Sequence, residues 1–448
     1  MNHPTPGTIA AMSVPESEIV LDQASRGYER WRDLPLDVRT SLLVAMAGVL
    51  SREQESVARQ ITLDMAKPIT QARAEVAKTV DLLGWFAEHG PNMLADEPTT
   101  IGPEARIVYE STGVVLSVQP WNFPIWQPMR VAVPVLLGGN GCVIKPAPIT
   151  TPSARLLERL WQRAGLPEGV FAVLETDEQD TVRAISHRAV SGVTVTGGTR
   201  AGSAIAAAAG QAIKKSTLEL GGSDAFIVLP DADLDVAARE AVVSRFQNAG
   251  QVCIAAKRII VHDQIHDPFV EALVRHVRDL TIGDPFDEST TVGPLARPDL
   301  VDTIEHQVRA TLDGGATLVC GGRRLPGNFY EPTVLTGVIP GMACFDEEVF
   351  GPVAPVVRVA DVTAAAKLAN QTPFGLSASI WTSNPDTAAD LAHRLRVGGV
   401  FVNRIAVSDP RIPIGGVGLS GYGRELSHFG VHEFTNPKVV WHAAEASR

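Results

Sequence analysis

Apolar positions from 114 to 228 come in short β-rich runs separated by stretches at helical spacing, the pattern of a parallel sheet with crossover helices. The runs at 114–118, 142–145, 171–174, 193–196 and 225–229 predict strands. Between them, Thr151-Pro152 offers an N-cap followed by proline in the first turn. Leu156, Leu157, Leu160 and Trp161 recur at helical spacing until Gly165-Leu166-Pro167 stops the helix. Upstream, 53–90 reads as two helices broken near Lys67-Pro68, with Val76, Val80, Leu83 and Phe86 on one stripe. A second series follows Pro230: helices at 234–246 and 266–280, and strands at 258–261, 353–359, 377–381 and 399–403. Two tandem α/β domains account for this. The runs at 106–110 and 439–441 predict a small antiparallel extension for subunit contacts, and there is no internal repeat.

A chain of 448 residues, at roughly 150 per domain, has room for several full cores. With 45% apolar and 20% charged residues it is an ordinary globular sequence, which excludes a disordered, collagenous or coiled-coil chain. The 39 basic and 50 acidic residues leave a net charge of −11. That field repels nucleic acid and anionic lipid, so an anionic ligand requires a local basic site. The longest apolar stretch, 131–144, is interrupted by Pro134, Asn140 and glycines and falls short of the roughly 18 residues of a membrane span. Met1-Asn2-His3-Pro4-Thr5-Pro6 lacks the features of an export signal. Cys142, Cys253, Cys320 and Cys344 lie far apart without metal-ligand spacing, which points to a reducing, cytoplasmic compartment.

Several clusters carry candidate chemistry, each with a plainer alternative. Pro120-Trp121-Asn122-Phe123-Pro124 follows a predicted strand where α/β sheets place ligands. It is either a proline-bounded turn or a site where Asn122 donates to a developing oxyanion. In Gly250-Gln251-Val252-Cys253 a helix ends in a turn that presents a thiol, which is either a small buried hydrophobe or a nucleophile whose own N–H joins Asn122. Glu219, in Leu218-Glu219-Leu220-Gly221-Gly222, is either paired with Lys214 or Lys215 or is a base whose pKa an apolar setting raises. Gly197-Gly198 opens a helix either as a plain turn or to receive a phosphate. Lys145, before Pro146-Ala147-Pro148, is either solvated or a ribose and phosphate contact. Glu348 and Phe350 either begin a strand or hold a nicotinamide ribose. Gly416-Val417-Gly418-Leu419-Ser420-Gly421 matches GxGxxG without the strand-turn-helix context of a dinucleotide fingerprint.

In order and spacing, Trp121-Asn122, Lys145, Gly197-Gly198, Glu219-Leu220-Gly221-Gly222, Gly250 to Cys253, Glu348 to Pro352, Asn403 and the glycine-rich run ending Gly421-Tyr422-Gly423-Arg424-Glu425 resemble the motif series of the NAD(P)-dependent aldehyde dehydrogenase superfamily. The resemblance implies an α/β aldehyde dehydrogenase fold. Residues 1–94 with 113–220 would form a Rossmann-like cofactor domain, 221–433 an α/β catalytic domain, and 95–112 with 434–448 a β oligomerisation extension of a homodimer or homotetramer. It implies Cys253 as nucleophile, Glu219 as general base, and Asn122 with the Cys253 amide as oxyanion hole. Trp121, Asn122, Lys145, Pro146, Ala147, Pro148, Gly197, Gly198, Leu220, Glu348 and Phe350 would lie at the cofactor, and no metal would take part. Superfamily members that pass the acyl group to coenzyme A typically lack the glutamate, so Glu219 favours a free acid product.

Arg130, with Ser408 and Arg411, resembles the carboxylate-binding set of succinate-semialdehyde dehydrogenases, and 71–78 and 427–434 resemble their short bacterial branch. An arginine with a hydroxyl suits an aldehyde bearing a carboxylate. Gln247 replaces an arginine of the better-known branch, a loss for which Arg411 would compensate; Ile414 and Gly418 replace the usual Phe and Lys. Cys253 is followed by Ile254-Ala255, without a second thiol for a redox switch. Pro148 stands where NAD-preferring relatives often carry a glutamate that repels a 2′-phosphate, so NADP is favoured slightly over NAD. Glutarate semialdehyde or an aromatic aldehyde is the alternative substrate. A catalytically silent scaffold and a nicotinamide-independent thiol ester hydrolase are the alternatives of another class.

Overall fold

The computed structural model describes residues 14–443; the start of the chain, on which the export-signal reading rests, lies outside them. Three sheets organise the chain. The first has six strands in the order Gly421–Tyr422, Lys215–Glu219, Val190–Thr196, Val114–Val118, Gly141–Lys145 and Phe171–Val173, all parallel except the first. Its central strands read as near-continuous apolar runs because helices cover both faces. One face meets Leu36–Arg52, Gln54–Met65, Ile69–Met93, Trp126–Leu137 and Thr151–Arg163. Ala66, in the left-handed conformation, ends the second of these helices, and Pro68 precedes the third, which is the break expected near Lys67-Pro68.

The second sheet has seven strands in the order Thr317–Cys320, Thr333–Thr336, Val353–Val359, Arg258–His262, Ala225–Val228, Ser377–Trp381 and Gly399–Val402; only Thr317–Cys320 runs antiparallel. In the third, Gly102–Ser111 lies between Glu97–Thr99 and Thr435–Trp441, with Ile107 opposite Val439. The two terminal runs thus pair as the sequence predicts.

Three readings need adjustment. Residues 421–433, grouped by sequence with the catalytic span, return to the first unit: Gly421–Tyr422 extends its sheet, and Ser427–Glu433 packs beside Ile69–Met93 and Trp126–Leu137. The helix at Thr151 is entered through a turn at Pro148–Thr150, so Thr151 is its first residue and not its cap. Helices such as Leu36–Arg52 and Pro298–Asp313 emerge where no element was predicted. The unbroken apolar run 42–47 hides the period of the first; Leu43, Met46, Val49 and Leu50 are buried in the core, Leu42 and Ala47 pack at its margin, and Val44 is exposed.

Candidate active site

The carboxyl ends of the first sheet converge on one region. Asn122 follows Val114–Val118, Gly197-Gly198 follow Val190–Thr196, and Glu219 ends Lys215–Glu219. Facing them is the loop that carries Cys253. The helix Leu234–Phe246 gives way to three consecutive left-handed residues, Asn248 (φ 51°), Ala249 (φ 53°) and Gly250 (φ 77°). Such backbone costs about 1–3 kcal/mol at a non-glycine position and persists only where its surroundings impose it. Here they do: Arg245, fully buried, donates to the carbonyls of Gly250 (2.7 Å), Gly351 (2.7 Å) and Val349 (3.2 Å). A Cβ on Gly250 would stand 2.2 Å from the Gly351 carbonyl oxygen.

The loop is tied to the opposing unit through Asn122. Its Nδ2 donates to the Gln251 carbonyl (2.9 Å), and Asn248 Nδ2 donates to the Asn122 carbonyl (3.0 Å). One Asn122 amide hydrogen remains unspent, and among the described residues the Cys253 N–H meets no acceptor. Two N–H bonds, the second of the Asn122 amide and that of Cys253, are thus left without protein acceptors among the described residues. Burial pushes the Cys253 thiol up to about 11, a tendency opposed by Lys257 and Arg130 and reinforced by Glu219 and Asp224. Lys257 spans the neighbourhood, donating to the carbonyls of Gly222 (2.8 Å) and Cys253 (2.9 Å) and to the Glu348 carboxylate.

Glu219 is 4% exposed, and among the described residues its Oε1 has no hydrogen-bond partner. Burial raises its pKa well above the usual carboxylate range, the nearby Glu425 adds to the rise, and Arg130 and Arg424 oppose it. The glycine run 415–423 supports this strand from behind: Leu220 N–H donates to the Ser420 carbonyl (3.0 Å), and Gly421 lies opposite Glu219. The GxGxxG match is thus part of a sheet edge.

Two cavities meet at the sulfur. A cleft of about 190 Å³ brings together Cys253, Asn122, Glu219, Trp121, Gly197, Gly198, Leu220, Glu348 and Phe350. A Cβ on Gly198 would project into open space at the start of the helix Thr199–Gln211. Trp121 and Phe350 stand edge to face, 5.7 Å apart. An open glycine turn at a helix N-terminus, an aromatic pair and a carboxylate fit a dinucleotide. A second cavity, about 240 Å³, is lined by Cys253, Arg130, Ser408, Lys78, Gln247 and Ile414, among others.

Some expected residues stand apart. Lys145 ends its strand half-buried, with its carbonyl bonded to Gln119 N–H (2.9 Å); it and Pro146-Ala147-Pro148 do not line the cleft. Arg411 is exposed, bound through Nε and Nη2 to Asp409, and outside the second cavity. It therefore does not make up for the arginine missing at Gln247. Arg130 lines that cavity, but its Nε is engaged by the buried Glu425 carboxylate. Sequence reasoning missed Lys78, Arg245, Lys257 and the structural part of Glu425. Lys78 and Glu425 lay within segments already noted for their resemblance; nothing local marked Arg245 or Lys257.

A family model described as the aldehyde dehydrogenase family matches residues 2–440. The chain belongs to that family. It is 48% identical over 427 residues, covering 95% of this chain and 92% of the relative, to the succinate semialdehyde dehydrogenase [NAD(P)+] Sad of Escherichia coli (strain K12). It is 43% identical to the succinate-semialdehyde dehydrogenase [NADP(+)] of Mycobacterium avium (strain 104), over 98% of this chain and 95% of the relative. The crystal structure of succinic semialdehyde dehydrogenase from Streptococcus pyogenes, in complex with NADP+ as the cofactor, superposes with a TM-score of 0.94 at 37% identity, over 97% of this chain and 96% of that one. This aldehyde dehydrogenase thus shares its fold, across nearly its whole length, with relatives that act on succinate semialdehyde.

Proposed function

We propose that this aldehyde dehydrogenase oxidises succinate semialdehyde to succinate with NADP or NAD, through a thioester on Cys253. The observation that carries the reading is that Cys253 is common to a cleft suited to a dinucleotide and a cavity suited to a small aldehyde, with two unspent donors beside it. The names of the relatives support the substrate.

Once the Cys253 thiol has given its proton to solvent, the sulfur bonds to the aldehyde carbon as thiolate. The oxygen then carries the negative charge, and the Asn122 amide and Cys253 N–H receive it. The bound nicotinamide supplies the acceptor for the hydride expelled when this tetrahedral adduct collapses to a thioester. Glu219 next takes a proton from water, whose oxygen bonds to the acyl carbon. The carbon–sulfur bond breaks, Glu219 passes its proton to the departing sulfur, and the carboxylic acid is left. The first α/β unit, with Trp121, Gly197, Gly198, Glu348 and Phe350 at its cleft, holds the dinucleotide. Lys145 and Pro148, beyond the cleft, would meet the adenosine end of the dinucleotide, where the absence of a carboxylate at position 148 would leave a 2′-phosphate unopposed. The three-stranded sheet, with Val439 and Trp441 exposed, serves assembly into a homodimer or homotetramer in the cytoplasm.

The test is turnover of succinate semialdehyde, followed by absorbance of the reduced cofactor, in competition with glutarate semialdehyde, propanal and an aromatic aldehyde. Preference for the carboxylated four-carbon substrate, lost in Cys253→Ala, is expected. Turnover without added dinucleotide, or undiminished turnover by Cys253→Ala, overturns the reading. NADP used far less efficiently than NAD overturns the cofactor preference alone.

A further inference from the structure

Three cations line the cavity on the substrate side of Cys253: Lys67, Lys78 and Arg130. Two are already neutralised. Lys67 is fully buried against the Glu75 carboxylate, which also accepts the N–H groups of Ile125 (2.9 Å) and Trp126 (3.0 Å) at the start of the helix Trp126–Leu137. Arg130 is paired with Glu425, and its Nη2 donates to Thr196 Oγ1 (3.4 Å).

Lys78 differs. Its Nζ lies 4.0 Å from the centre of the Trp126 ring and 3.1 Å from Ser408 Oγ, and among the described residues it forms no ion pair. Ser408 Oγ also accepts from Trp126 Nε1 (3.0 Å). With both hydrogen bonds arriving at its oxygen, the Ser408 O–H has no protein acceptor among the described residues. An unneutralised ammonium and an unspent hydroxyl therefore face the cavity together, fixed by one indole. In a protein of net charge −11, this cavity keeps one positive charge in excess of its carboxylates.

Resting on the succinate-semialdehyde reading above, we infer that Lys78, with the Ser408 hydroxyl, binds the distal carboxylate of the substrate, and that Arg130 instead serves the Glu425 and Glu219 side of the site. An ammonium and a hydroxyl donating to one carboxylate make two charge-assisted hydrogen bonds, and the excess charge selects an anion over an uncharged aldehyde of equal length. Arg130, whose Nε is committed to Glu425, would have to share its charge between two carboxylates.

The electrostatics of the cavity add a second readout. Lys78 is pushed down to about 8, chiefly by burial and next by the like charge of Arg130 on the adjacent helix. Glu75 on its own helix, Asp409 on the neighbouring loop and Cys253 oppose the fall. A lysine with a lowered pKa loses its charge as pH rises through that value, so the affinity it gives a carboxylate is present below pH 8 and fades above it. Arg130, held charged by Glu425, provides no such change.

The experiment compares succinate semialdehyde with butanal in the full-length enzyme with NADP, for wild type, Lys78→Met, Lys78→Arg and Arg130→Met. In Lys78→Met the ratio of kcat/KM for succinate semialdehyde over butanal is expected to fall about 10- to 100-fold, mainly through KM. Lys78→Arg, which keeps the charge, should restore most of it. In wild type the ratio should decline as pH passes 8, and in Lys78→Met it should stay flat. If Lys78→Met does not fold, Lys78→Arg and the wild-type pH profile carry the test: a ratio independent of pH then refutes the inference. A ratio retained by Lys78→Met but lost by Arg130→Met also refutes it while leaving the substrate reading intact. A wild type that does not prefer the carboxylated aldehyde refutes the substrate reading itself.

Discussion

Replacing Glu425 by Gln separates two effects of one buried charge. The Glu425 and Arg130 side chains are 6% and 3% exposed, and Glu425 Oε1 also accepts from Thr194 Oγ1 (3.2 Å). Glutamine keeps the shape and an acceptor but leaves the guanidinium without a counter-ion. Breaking a buried pair this way costs about 3–5 kcal/mol, a large part of the 5–15 kcal/mol that holds a typical domain together. At the same time Glu219 loses a repelling carboxylate and keeps an attracting arginine. Its pKa should then fall by roughly one to three units, the range for a close charge. Glu219 acts as a base only when ionised, so the acid limb of kcat against pH should move to lower pH by at least about one unit. The stability profile should change in the matching sense. A carboxyl raised in the folded state contributes stability that is present below its unfolded value and lost as pH rises through its folded value, so lowering the folded value narrows that window. Urea unfolding at pH 7, with kcat profiles at saturating cofactor and aldehyde, measures both. An acid limb that stays in place or moves upward refutes the proposed coupling of Glu425 to Glu219. The double substitution Arg130→Met with Glu425→Met should recover most of the lost stability, since it leaves neither charge alone.

Other outcomes follow from the same geometry. Asn122→Ala should lower kcat by about 10²–10³-fold, and a kcat within a few-fold of wild type would remove Asn122 from the oxyanion site. Gly250→Ala forces a Cβ to within 2.2 Å of the Gly351 carbonyl and must displace the Cys253 loop, so dehydrogenase activity should be lost in a protein that still unfolds cooperatively; activity within a few-fold of wild type contradicts the described packing. With its thiol pushed up to about 11, Cys253 in the ligand-free enzyme should be alkylated by iodoacetamide about ten times faster for each pH unit between 8 and 10. A rate already at its plateau at pH 7 argues against this. Pro148→Glu should shift preference toward NAD, by restoring a carboxylate against the 2′-phosphate; unchanged NADP kinetics would remove Pro148 from the adenosine end.

The sequence by itself determined the alternation of short apolar runs, and with it the two parallel sheets, because strands buried on both faces must be apolar throughout. Through the family resemblance it also marked Cys253, Glu219 and Asn122, which the structure brings to one cleft, and it anticipated the small antiparallel sheet. It was silent on exposed edge strands such as Thr317–Cys320, whose residues carry no buried face to create a pattern. Only the tertiary structure decided which cations are spent. Arg130, Arg411 and Lys78 are equally positive in the sequence. Yet Glu425, 295 positions from Arg130, neutralises the first, and Asp409 holds the second outside the cavity. Ser408, 330 positions away, holds the third in the pocket with its charge unmatched. Partner choice among distant charges depends on three-dimensional proximity and on burial, which sets how strongly each charge is felt, and neither is written in the local order of residues.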